Sequence, residues 1–212
     1  DLYIENNVLP NQYIRSDDSN GDGVLTVANN TLGGIDLHLG VCCNELQTNV
    51  VVIADNSLGK NTHKDVFGAT LSAIHVGSDN EGGGSTLAII NNTIDLRDSD
   101  PSISGIHLGS PWAEFTGTVF GTDTRIAGNH IMGGKYGMKF YRYRGPAVEN
   151  NIIEGADTGI FLSSPYFSPT SKFMFRDNTL KDTNIALHFR AIYWERELTE
   201  DFTRQTEKGL VW

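Results

Sequence analysis

Cysteine is nearly absent from this chain: Cys42 and Cys43 are the only two in 212 residues, and they are adjacent. Neighbouring cysteines rarely close a disulfide, because the bridge strains the peptide between them. Two free, half-buried thiols are expected, with neither a disulfide framework nor a cysteine-based metal spacing. Long apolar runs are lacking too. None approaches the roughly 20 residues that cross a bilayer as a helix, which argues against such a span. No secretory leader can be read at the start. The chain opens at Asp1 straight into a strand-like pattern, so a trimmed signal or an upstream domain is expected before it. Positive charge is scarce, with 16 Lys and Arg against 26 Asp and Glu, a formal net charge of -10. Phosphate backbones are bound by clustered Lys and Arg, so nucleic acid is not an expected partner. The acidity itself speaks only to solubility.

What the chain has is glycine, 23 residues of it, a recurring asparagine, and a 39% hydrophobic share that is enough for one core. A six-residue motif repeats: apolar, any residue, Asn/Asp/Gly, Asn, any residue, apolar. It reads IENNVL at 4–9, VANNTL at 27–32, IADNSL at 53–58, IINNTI at 89–94, IAGNHI at 126–131, VENNII at 148–153 and FRDNTL at 175–180. Its second polar position is Asn7, Asn30, Asn56, Asn92, Asn129, Asn151 and Asn178, at spacings of 23, 26, 36, 37, 22 and 27 residues. A core period with occasional long insertions describes a solenoid carrying loops. Asparagine suits such a column because it tolerates left-handed backbone geometry and its amide both donates and accepts. Stacked about 4.8 Å apart, amides can bond along the stack. Two Asn-X-Thr sequons, at Asn29 and Asn91, fall inside this ladder and are discounted as glycan acceptors.

A second motif follows: DLHLG at 36–40, AIHVG at 73–77, GIHLG at 105–109, GMKFY at 137–141, GIFLS at 159–163 and ALHFR at 186–190. In the last three coils its central residue lies 10 positions after the ladder Asn each time. Alternation is strict, so Ile106, Leu108, Met138, Phe140, Ile160 and Leu162 are expected inward, and His107, Lys139 and Phe161 outward.

These motifs resemble the parallel β-helix repeat family, the architecture of pectate lyases, alginate lyases and epimerases, and phage tailspikes. The resemblance covers about residues 3–190 and implies an all-β, right-handed, single-stranded parallel β-helix of about seven coils. Residues 1–190 form that domain, truncated at its N-terminal end, where an upstream domain or a homo-oligomer partner is expected to cover the open coil. Residues 191–212 break the repeat. Ile192, Trp194, Leu198 and Phe202 fall at helical spacing, so a short amphipathic helix is expected to cap the last coil. The same fold carries lyases, hydrolases, epimerases, adhesins and inert stalks, so it does not set the activity.

Candidate chemistry gathers on the outward column His38, His75, His107, Lys139, Phe161 and His188, with Gly40, Gly77 and Gly109 two residues beyond the first three histidines. Three readings stand: a stacked surface ladder, a general-base or ligand site built on imidazoles that titrate near neutrality, or a zinc site made by geometry alone. Insertions at 59–71, 95–103, 78–86 and 110–124 either wall this strip into a cleft, with Trp112 at its rim, or are simply tolerated in solenoid turns. His75, His107 and Lys139 are the candidate catalytic groups. His38, Trp112, Tyr141, Arg142, Tyr143 and Arg144 are the candidate substrate contacts, since lyases of this fold use a Lys or Arg base with cations at a uronate carboxylate, and aromatics stack on sugar rings; for the segment 139–145 an ordinary solvated basic turn is the alternative. The Asp-Pro-His-Glu motif of the epimerases is missing, and no clear lyase triad is present.

A calcium signal lies at 18–23, DSNGDG, which resembles the first half of an EF-hand or dockerin loop. Asp18, Asn20, Asp22 and the Val24 carbonyl would be the ligands, while Asn29 stands where a bidentate acid belongs. A plain polar turn is the alternative. Taken together, the expectation is a secreted or cell-surface domain that binds, and in one version cleaves or epimerises, a polysaccharide. The competing expectation is a non-catalytic stalk or adhesin module.

Overall fold

A computed structural model describes residues 1–16, 23–38, 49–59, 72–77, 86–109, 123–141, 145–163 and 173–190. Every regular element among them is a strand. The first ten are β1 (Leu2–Glu5), β2 (Val8–Ser16), β3 (Gly23–Ala28), β4 (Thr31–His38), β5 (Asn49–Ala54), β6 (Ser57–Leu58), β7 (Ser72–Gly77), β8 (Thr86–Ile90), β9 (Thr93–Asp95) and β10 (Ser104–Leu108). The rest are β11 (Asp123–Ala127), β12 (His130–Met132), β13 (Tyr136–Tyr141), β14 (Ala147–Glu149), β15 (Ile152–Glu154), β16 (Thr158–Ser163), β17 (Met174–Arg176), β18 (Thr179–Lys181) and β19 (Ile185–Arg190). All pairing is parallel. One sheet runs β1-β3-β5-β8-β11-β14-β17, and the larger runs β18-β15-β12-β9-β6-β4-β7-β10-β13-β16-β19, with β2 beside β4. Each strand therefore pairs with its counterpart one motif away, the solenoid-like arrangement that the repeat foretells. The expected helix over 191–212 lies outside the described residues.

The six-residue motif makes one corner, and two neighbouring positions divide its work. The first polar position takes the left-handed backbone: Asn6, Asn29, Asp55, Asn91, Asn150 and Asp177 have φ between 54° and 60°, and Gly128 has 67°. The Asn after it builds the ladder. The amide nitrogen of Asn30 donates to Asn56 Oδ1 at 3.0 Å, and the same bond links Asn56 to Asn92, Asn92 to Asn129, and Asn129 to Asn151. Asn7 and Asn178 extend the column at its two ends. Backbone N–H groups donate to the same oxygens, and each amide also reaches a carbonyl one coil back, such as Asn92 Nδ2 to Ile53 O at 2.9 Å. The sequence reading placed both jobs on one asparagine. A chain bending sharply at φ near +55° cannot also aim that residue's side chain inward, so the bend and the ladder sit on successive residues.

Inside the corners the aliphatic rows stack in register. Ile35, Ile74, Ile106, Met138 and Ile160 form one continuous row, all almost fully buried. Leu32, Leu58, Ile94, Ile131 and Ile153 form another. Beside them a row of small residues, Gly105, Gly137 and Gly159, leads into the second strands. A Cβ on Gly105 would sit 2.5 Å from the Gly137 carbonyl oxygen and 2.6 Å from Ile131 Cγ2, so these coils approach too closely for a side chain.

Candidate functional site

The second motif forms β4, β7, β10, β13, β16 and β19, with the aliphatic set inward as expected. On the other face, strand register assembles one row across seven strands: Arg15, Asp36, His75, His107, Lys139, Phe161 and His188. His38 is not in it. It falls opposite Gly77, and Asp36 occupies the place beside His75. The cause is a missing corner. From Asn129 the chain takes nine residues to reach Met138, whereas from Asn30 it takes five to reach Ile35, the register equivalent. β4 runs unbroken through the bend, pairing with both β6 and β7.

The row has definite chemistry. His75 Nδ1 lies 2.8 Å from Asp36 Oδ1, and its Nε2 lies 3.2 Å from the Gly109 carbonyl oxygen. A carbonyl only accepts, so Nε2 is the donor to Gly109, and Nδ1 faces the Asp36 carboxyl. Gly109, at φ 105°, aims its carbonyl there, and a Cβ on it would strike the Tyr141 carbonyl. The His107 ring stacks on His75 with centroids 4.8 Å apart and 25° between planes. Tyr141 meets His107 edge-on at 5.4 Å. Next along, the Lys139 ammonium sits over the Tyr136 and Tyr141 rings at 5.3 and 4.7 Å, a cation held by π faces. Phe161 packs between Tyr136 and His188.

Burial sets the electrostatics. His107 is 0% exposed and Lys139 is 5% exposed, whereas His188 lies open to solvent. Alternation reads the face of a strand but not what lies over that face, and parallel sheets are commonly covered on both sides. Desolvation holds the His107 imidazole well below its ordinary value; the His75 and Lys139 charges add to this, and Asp36 opposes it. His107 is thus a neutral imidazole, the form that accepts a proton or ligates a metal. His75 has both ring nitrogens engaged.

The remaining sequence candidates divide clearly. Tyr141 is buried against His107 and Lys139. Trp112, Arg142, Tyr143 and Arg144 lie outside the described residues, as do Asp18, Asn20 and Asp22 of the calcium motif. Val24 lies in β3, where its N–H donates to Asp1 Oδ1 at 3.1 Å. Of the expected cleft walls, 95–103 is described throughout: Leu96 and Ile103 anchor it in the core, and Arg97 pairs with Asp95, holding that carboxyl below its usual range. Among the described residues, no three His, Cys, Asp or Glu groups converge on a metal-sized space. The sequence reading missed Arg15 and Asp36. Asp36 shares the outward parity of His38, and only its partner across the strand marks it.

Comparison of the chain with models of protein families, with curated proteins and with solved structures gave no match.

Proposed function

We propose that the strands wind as a right-handed, single-stranded parallel β-helix of about seven coils, and that this domain binds a polysaccharide along the outer side of its second-strand ladder. The observation that carries the reading is the row Asp36, His75, His107, Lys139 with Tyr136 and Tyr141 beside it. A scaffold has no need of that chemistry. On the outer face of the seven-stranded sheet the corresponding row is Glu5, Ala28, Ala54, Ile90, Ala127, Glu149 and Arg176, small or aliphatic over its four middle strands and charged only towards its ends. Sugar rings present both hydroxyls and apolar faces, which imidazole, ammonium and phenol groups engage together. In the catalytic version, a lyase, hydrolase or epimerase, His107 is the neutral base and Lys139 the cation beside developing negative charge. Secretion or display at a cell surface goes with such a ligand, and Ca²⁺ held by Asp18, Asn20, Asp22 and Val24 would brace the coil beside it.

One observation favours a second reading, a non-catalytic stalk or adhesin module. His107 and Lys139 are buried, so this row can serve as internal packing rather than as a contact surface. Binding and turnover of neutral and uronate polysaccharides by the native chain and by the His107→Ala, Trp112→Ala and Tyr143→Ala variants separates the two. The first reading expects binding that Trp112→Ala or Tyr143→Ala weakens at least tenfold. If no polysaccharide binds, or all three variants match the native chain, the stalk reading takes its place.

A further inference from the structure

The outer face of the seven-stranded sheet lies away from the imidazole row, and its pattern points to a different kind of partner. Beside the row from Glu5 to Arg176 runs a second outward row, which starts at Tyr3, passes Thr26, Val52, Ala88 and Arg125, and ends at Met174. Solvent reaches this plane. Val50 is 38% exposed and Tyr3 60%, while Val52, Ala54, Ala88 and Ile90 are half-buried. An apolar centre with charge only at its margins is the make-up of a protein contact. The two margins differ in sign. On β1 stands the exposed carboxylate of Glu5. At the far margin the Arg125 and Arg176 guanidinium groups share the Glu149 carboxylate at 3.6 and 2.7 Å, and Asp177 lies 3.6 Å from Arg176 Nε. Each guanidinium has five N–H donors, so both arginines, about 60% exposed, keep donors for a further acceptor.

We propose that this face joins two copies of the chain in a two-fold dimer, sheet against sheet, with the coils of the second copy running in the opposite order. β8 is the middle strand of the seven, so a two-fold axis along it sets β1 over β17, β3 over β14 and β5 over β11. That rotation keeps each residue's place along its strand. Glu5 then meets Arg176 of the second copy, Tyr3 meets Met174, and Ile90 meets Ile90 at the axis. Charge selects the reversed order. With the coils running the same way, β1 would lie over β1 and β17 over β17, setting like charge near like. The size of the plane sets the strength. Strands about 4.8 Å apart, each showing about 15 Å of its length, give roughly 500 Å². A standard interface takes about 800 Å² from each partner, so the dimer is a weak one, in the micromolar range.

Sedimentation equilibrium of the full chain from about 1 to about 500 μM tests this. The native chain should pass from monomer to dimer across that range. Ala88→Lys and Val52→Lys put ammonium groups at the centre of the face and should hold the chain monomeric throughout. Thr93→Lys, exposed on the other sheet, should leave the association unchanged. Glu5→Gln reads the order of the coils. In the reversed order it removes two attractions per dimer and should weaken association by about 2- to 30-fold, whereas in the same-way order it removes a repulsion and tightens it. Glu5 is exposed, so this variant keeps the test in force should the lysine variants fail to fold. A native chain that stays monomeric, an association that both folded lysine variants retain, or one that Glu5→Gln tightens overturns the proposal. The outcome is independent of polysaccharide binding, which concerns the other sheet.

Discussion

Replacing Asn92 by alanine measures what the asparagine column is worth. Asn92 is 0% exposed, and its Oδ1 accepts from both the main-chain and side-chain nitrogens of Asn56 at 3.0 Å. Its amide donates to Ile53 O, Ile90 O and Asn129 Oδ1 at 2.9, 3.1 and 3.0 Å. Truncation leaves two of these acceptors served. Asn129 Oδ1 still receives the Asn92 main-chain N–H, and Ile90 O still receives Asp55 N–H. What remains without its partner is the Asn56 N–H, one hydrogen of the Asn56 amide, and the bond to Ile53 O. At roughly 1–3 kcal/mol for each buried group left unsatisfied, Asn92→Ala should cost about 3–9 kcal/mol. That is a large part of the about 5–15 kcal/mol by which domains are stable. Asn7→Ala is the internal control. Asn7 donates but bridges no coil before it, and Asn30 Oδ1 keeps the Asn7 N–H. Its loss should cost under about 1 kcal/mol. Urea unfolding followed by circular dichroism gives both values. Equal costs for the two would refute the view that the column holds coils together through buried, mutually dependent amides.

Three further outcomes are expected. Ile106→Asp places a carboxylate in the middle of the stacked aliphatic row and should lower stability by several kcal/mol, on the order of a buried unpaired charge; an unchanged urea midpoint would count against the inward assignment. Gly105→Ala puts a methyl 2.5 Å from the Gly137 carbonyl and should cost about 1–3 kcal/mol, read from the same unfolding curves. Chelator-treated protein titrated calorimetrically with Ca²⁺ should bind one ion, and Asp18→Ala should abolish that heat; silence at millimolar calcium removes the ion from the account.

Much of the architecture was legible because it is written locally. The two-residue period assigned Ile106, Leu108, Met138 and Phe140 to the inside without reference to any partner. The asparagine motif announced the corner because a bend and an amide ladder demand particular side chains. The site was legible only in part. His75, His107 and Lys139 were recognised as one row, but the first member was misread as His38. The His-x-Gly pattern that suggested it is a likeness of neighbours, whereas register depends on how many residues the corner consumes. Arg15 and Asp36 joined the row only through pairing between strands 39 or fewer residues apart, which no local pattern encodes. The burial of Lys139 depends on what covers the strand, and alternation is silent on that.

The ladder bonds all point one way: each amide nitrogen donates to the oxygen of the coil that follows it in the chain. Like the peptide dipoles of a helix, the amide dipoles add along the column, so the stack has an electrical direction as well as a geometric one. That direction bears on how such a chain can change length over evolutionary time. Duplicating or deleting one whole coil leaves every remaining amide facing the same kind of neighbour, in the same sense. Losing half a coil sets a strand where the next asparagine should be and severs the column. Residues added away from the corner, as in the coils 36 and 37 residues long, leave it untouched. Tolerance for long insertions and intolerance for short errors of count therefore arise from the same row of side chains.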